Sequence, residues 1–83
     1  MPLFYFHIQD EVEISDPEGT ELSDVTAVRE YAVNCARSLL SQDVLKGEFN
    51  IFRRFEITDK SGAPVMTCPF TEAVDLSGAK LAL

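Results

Sequence analysis

Ser23-Asp24-Val25-Thr26-Ala27-Val28-Arg29-Glu30-Tyr31-Ala32-Val33-Asn34-Cys35-Ala36-Arg37-Ser38-Leu39-Leu40 is the stretch that decides the fold. Val25, Val28, Ala32, Cys35, Ala36, Leu39 and Leu40 recur at i, i+3, i+4 and i+7, the spacing of one apolar helix face. Arg29, Glu30, Arg37 and Ser38 fall elsewhere, as a solvated face requires. Ser23 or Asp24 can cap the free N–H groups at the start. The small side chains of Ala32, Cys35 and Ala36 in mid-stripe let this helix approach a sheet closely. The helix is expected to fray near Gln42, with Gly47 in the connection that follows.

Both flanks of the helix read as strands. Upstream, residues 3–9 are aromatic and β-branched, with Leu3, Tyr5 and His7 on one face and Phe4, Phe6 and Ile8 on the other. Both faces want cover, which marks a central strand or one buried in an interface. Residues 11–15 alternate, placing Val12 and Ile14 inward on a half-exposed strand. Asp16-Pro17-Glu18-Gly19 then has turn chemistry: Asp first, Pro second, and Gly able to take positive φ.

Downstream, residues 51–58 and 64–70 form two strands joined by Asp59-Lys60-Ser61-Gly62, a type I turn with a bulge. Phe55 and Ile57 share one face, and Arg54, Glu56 and Thr58 the other. Pro64 belongs at an edge or a strand start. Residues 71–83 are ambiguous: Thr71-Glu72-Ala73-Val74 can begin a helical turn, and Ser77-Gly78 breaks it. The expected fold is one α+β domain over residues 1–83, with a tail from about residue 76. A small antiparallel sheet of three to four strands carries one helix on one face, in the order β-β-α-β-β. Phe55, Ile57 and Val65 should meet the helix stripe. Strand order is not legible.

Charge narrows the partners. The 83-residue chain has a net charge of −7, and its seven Lys and Arg give a phosphate backbone or an anionic bilayer little to bind. Residues 1–28 contain seven acids and no Lys or Arg, whereas residues 29–83 contain seven of each. The whole excess therefore sits before and at the start of the helix. No apolar stretch is long enough to span a bilayer, and the N-terminus lacks the basic region of a signal peptide, so cytosol is the expected compartment. Cys35 and Cys68 fit buried thiols better than a disulfide, and their spacing matches no metal motif.

Asp10, Glu11, Glu13, Asp16, Glu18, Glu21 and Asp24 lie within fifteen residues. Hard cations want such oxygens, but the spacing lacks the Asp-x-Asp-x-Asp-Gly loop with Glu at position twelve. A solvated acidic face, ready for interaction, is the better reading. Arg53 and Arg54 are expected to pair with this run, within or between subunits. His7, the only histidine, could act as a general base if Asp10 or another acid oriented it. A strand histidine bonded locally fits better, because no Gly-x-Ser-x-Gly or Cys–His arrangement supplies a nucleophile. Phe4, Tyr5, Phe6, Phe52, Phe55 and Phe70 read as core, since no basic groove surrounds them to stack bases. The Glu-Ile-Ser/Thr-Asp-x-x-Gly-x-x-Leu/Val pattern occurs at residues 13–22 and again at 56–65, as two strands each running into an Asp-x-x-Gly turn.

Pro2-x-Phe4-Tyr5-Phe6-His7, Asp16-x-x-Gly19-x-Glu21-Leu22-x-Asp24, the helical Ala27, Arg29, Ala32, Ala36 and Leu39-Leu40, Phe55-Glu56-Ile57-Thr58-Asp59-x-x-Gly62, and Pro69-Phe70 together resemble a family of short bacterial proteins. The family is known only as domain of unknown function 6894. The resemblance spans roughly residues 2–75 and implies no activity. The chain departs from the family pattern at Asp10-Glu11, where an Asp-Gly turn is common, and at Ser23, where Pro is common. The first departure leaves the turn near residue 10 open.

The expected function is a small non-catalytic interaction or regulatory module, probed through Tyr5, His7 and the acidic residues. A homodimer is expected because the chain has too little core to cover both faces of its first strand. The alternative is an antitoxin-like or acidic-mimic partner of a basic protein, by loose analogy with strand-turn-helix antitoxin domains. An enzyme built on His7 is the third reading. No cofactor and no metal are expected.

Overall fold

The computed structural model describes residues 1–74. Its elements are β1 (Leu3–Gln9), β2 (Glu13–Ile14), β3 (Thr20–Glu21), α1 (Val25–Leu45), β4 (Arg54–Asp59) and β5 (Pro64–Pro69), followed by a 3-10 turn over Phe70–Ala73. The class is α+β, with one helix on one face of a five-stranded antiparallel sheet. The expected tail from about residue 76, and the Ser77-Gly78 break, lie outside the described residues.

β1 is central. β4 pairs along its length from Phe4↔Asp59 to Gln9↔Arg54, and β5 continues outward from β4. On the other edge two fragments share the strand: β3 opposite Leu3 and Phe4, and β2 opposite Ile8 and Gln9. The sheet therefore has one more strand than expected, because Thr20–Glu21 returns to pair after the turn.

The helix-facing side carries Phe4, Phe6, Phe55, Ile57 and Cys68, all buried against Val28, Ala32, Ala36 and Leu40 of α1. Val65 is partly buried against this core. The inward alternation of β1 and β4 is as the pattern predicts. Phe6 packs on Tyr31 at 4.9 Å and edge-on to Phe55 at 6.0 Å, and Phe55 tilts against Phe70 at 5.0 Å. Of the aromatic set, Phe4, Phe6, Phe55 and Phe70 are core, whereas Phe52 is 88% exposed and Tyr5 is only half-buried, on the sheet face away from the helix.

α1 starts where the cap predicts. Asp24 accepts the Ala27 N–H at 2.8 Å, satisfying one donor of the first turn. The far end differs from expectation, because the helix continues past Gln42 to Leu45. Gly47, at φ 79°, closes it: its N–H bonds Val44 O and the Glu48 N–H bonds Asp43 O, a Schellman arrangement that uses the last carbonyls. Asp43 also forms a buried ion pair with Arg53. That pair ties the last turn of the helix to the start of β4.

Three further expectations are corrected. Val12 and Ile14 are 74% and 61% exposed. The alternation sets their direction, but nothing in the described residues packs over that corner, and β2 is only two residues long. Val25 is 55% exposed, because the stripe begins to meet the sheet only at Val28. Arg53 and Arg54 do not pair within the chain with the acidic run. Arg53 takes Asp43 and stacks over Phe70 at 4.8 Å, and Arg54 takes Glu56 at 2.6 Å.

The β4–β5 turn follows its sequence. The Asp59 carboxylate accepts from the Ser61 N–H and Oγ–H and from the Ala63 N–H, while Gly62 takes φ 87°. A register shift at Ile57/Thr58 marks the bulge. β5 is an edge strand and Pro64 begins it, so both positions allowed for that proline hold. The helical turn expected after residue 70 is present, beginning at Phe70. The turn left open near residue 10 is a three-residue connection between Gln9 and Glu13, with the Asp10 N–H directed to Val12 O at 3.3 Å. No helix among the described residues is long and apolar enough to cross a membrane.

Candidate functional site

Asp16 organises the acidic end of the domain. One carboxylate oxygen accepts the Glu18 and Gly19 N–H groups at 3.1 Å each, the side-chain-closed turn that Asp favours. The other oxygen accepts the Phe6 N–H at 3.1 Å. Phe6 lies between the stretches of β1 that β2 and β3 cover, so the carboxylate replaces the missing strand partner. Burial alone would raise the Asp16 pKa. The N–H groups of Phe6, Gly19 and Glu18, with a smaller Coulombic contribution from His7, overcome this and hold it below the usual carboxylate value.

Gly19 makes this loop possible. Its φ is 74°, and a Cβ there would stand 3.1 Å from Leu3 Cγ, Phe4 O and Tyr5 Cε2 alike. The loop lies flat against β1 because the residue has no side chain.

His7 is bonded on both ring nitrogens. Nδ1 accepts the Asp16 N–H at 3.1 Å, which places the ring hydrogen on Nε2, where it donates to Thr58 Oγ1 at 3.1 Å. Tyr5 lies parallel to it, with ring centroids 6.3 Å apart. Tyr5, His7 and Leu3 share the sheet face opposite the helix, with Arg54, Glu56, Thr58 and Thr67 beside them through the strand registers. Glu56 lies across from His7. Its pKa is lowered, first by Arg54 and then by the Thr67 hydroxyl, with burial opposing them.

The nine residues expected to form a site do not act as one group. Tyr5, His7 and Asp16 are brought together, and Glu18 lies in the same loop. Asp24 is the helix cap. Glu13 and Glu21 stand on the two edge fragments, opposite Gln9 and Leu3. Asp10 and Glu11 are exposed in the β1–β2 connection. Among the described residues no three His, Cys, Asp or Glu side chains converge to hold a metal ion.

Sequence reasoning missed a groove of about 440 Å³ between α1 and the 16–20 loop. Phe6, Phe55 and Leu39 give it apolar walls. Tyr31, Cys35 and Ser38 line it from the helix, and Asp16, Glu18, Gly19 and Thr20 from the loop. Thr20 Oγ1 lies 3.4 Å from the Tyr31 hydroxyl across it. Burial pushes the Cys35 thiol up, opposed by a hydrogen bond with Tyr31, the reverse of the shift that activates a nucleophilic thiol. Tyr31 beside the helix stripe was the available signal.

No curated protein and no solved structure matches the chain. The model of the family described as Domain of unknown function (DUF6894) matches residues 3–71, and through that match, which covers the whole sheet and the helix, the chain belongs to this family.

Proposed function

We propose that this domain is a non-catalytic protein-interaction module that works in the cytosol as a homodimer. The observation that carries the reading is the uncovered face of the sheet. The helix lies on one side only, and Leu3, Tyr5 and His7, each half-buried, face the other, where among the described residues only the 16–19 loop lies against them. An antiparallel sheet packed on one face leaves the other open to water or to a partner. The engagement of both His7 nitrogens in local bonds supports the non-catalytic reading, since a general base needs one of them free for substrate. Light scattering at micromolar concentration tests the dimer. The expected mass is twice the 9.2 kDa of the chain, and a folded monomer at that concentration overturns it.

A second reading, an acidic partner of a basic protein, is favoured by the distribution of ion pairs. The three ion pairs among the described residues are Arg29–Glu72, Arg53–Asp43 and Arg54–Glu56. None uses an acid from residues 10–24, so no described cation neutralises the negative charge there. Pull-down at low and high salt tests this reading. A bound basic partner should be lost at high salt, and one retained unchanged argues against a charge-based contact.

A further inference from the structure

The groove between α1 and the 16–20 loop has apolar walls, an aromatic ring at one side and carboxylates on its loop side. No Lys or Arg among the described residues lines it. Its volume of about 440 Å³ falls within the roughly 300–1,000 Å³ typical of ligand sites. Asp16 is anchored there by three backbone N–H groups, and the exposed Glu18 follows two residues later on the same turn. A purely apolar ligand would leave these carboxylates against it, and an anionic one would be repelled.

We infer that this groove receives an arginine side chain from a basic protein partner. The methylene stem lies against Phe6 and Leu39, and the guanidinium reaches the Glu18 and Asp16 side with Tyr31 as its stacking surface. Arginine suits the groove better than lysine, because its planar fork meets carboxylates and stacks on aromatic faces, whereas an ammonium is a compact, strongly hydrated point charge. The inference rests on the acidic-partner reading above and names the place on the acidic end where recognition is specific.

The test is a titration of the ¹⁵N-labelled protein, followed by amide shifts, with the capped peptide Ala-Arg-Arg-Ala and its Lys-Lys and Glu-Glu counterparts. Saturating shifts at Gly19, Thr20, Tyr31 and Cys35 are expected, strongest for the arginine peptide and absent for the glutamate one. Glu18→Gln should weaken arginine-peptide binding about three-fold, the scale of one exposed charge contact. Ser38→Lys, at an exposed helix position lining the groove, should weaken it roughly ten-fold or more by like-charge repulsion, with the amide fingerprint confirming the fold of each variant. Equal responses to the arginine and lysine peptides overturn the arginine assignment. Shifts at residues 10–13 and 21 with the groove silent overturn the groove and leave the acidic-partner reading standing. No shift with either basic peptide overturns both.

Discussion

Asp16 shows how one side chain links turn, strand and charge. Its carboxylate closes the 16–19 turn and reaches ten residues back to the Phe6 N–H. Its pKa is lowered on folding, so its contribution to stability is fully present above the unfolded value near 3.8. That contribution is lost as pH falls through the lower folded value. Asp16→Asn keeps the shape but loses the charge and one acceptor. It should destabilise the domain by about 1–3 kcal/mol at neutral pH and flatten the decline of urea stability between pH 5 and 2. An unchanged acid limb in the variant would show that other carboxylates set it. The turn was legible from Asp16-Pro17-Glu18-Gly19, because those residues act locally. The bond to Phe6 was not, because it depends on where β2 and β3 stop. The same holds for His7: its strand face followed from alternation, and its partners Asp16 and Thr58 did not.

The elements divide along the same line. The start of α1 was legible because Asp24 caps its own helix. Its end was not, because the last turn is fixed at Asp43, the one buried residue from Gln42 to Leu45, by Arg53 beyond the helix. β1 and β4 were legible from aromatic and β-branched runs, while Val12 and Ile14 misled because alternation gives direction without cover. The two adjacent arginines at the start of β4 have unequal weight. Arg53 and Asp43 are 15% and 12% exposed at their side chains, and the Arg54–Glu56 pair is 45% and 35% exposed. Arg53→Ala leaves a nearly buried carboxylate unpaired and removes the contact over Phe70. It should cost about 2–4 kcal/mol, whereas Arg54→Ala should cost less than about 0.5 kcal/mol. Urea midpoints of the two variants check this, and equal effects would contradict the burial difference.

Across the molecule, charge and packing are separated. The ion pairs fasten α1, β4 and the 3-10 turn, while the acids of residues 10–24 repel one another around the opposite edge of β1. Salt should therefore stabilise the isolated domain by screening that repulsion. Raising NaCl from about 20 mM to about 500 mM, well past the range over which surface charges are screened, should raise Tm by a few degrees, where about 1 kcal/mol corresponds to about 4–8 °C for a domain of this size. A Tm that falls with salt would mean that the ion pairs outweigh the repulsion. The charge imbalance was readable by counting, since it needs no fold. The groove was not, because Tyr31, Ser38 and Thr20 meet only after the chain has turned back at Gly19.

The broken edge of β1 also bears on aggregation. A continuous open strand would offer its backbone to any passing extended chain. Here two strand fragments of two residues each leave only a short interval, and the Asp16 carboxylate occupies the Phe6 N–H within it. A charged side chain at that point cannot propagate a ladder as a backbone would. The only long edge left in the described sheet is β5, bracketed by Pro64 and Pro69, neither of which has an N–H to offer. An acidic chain with a small core is thus guarded along both margins of its sheet against templated self-association.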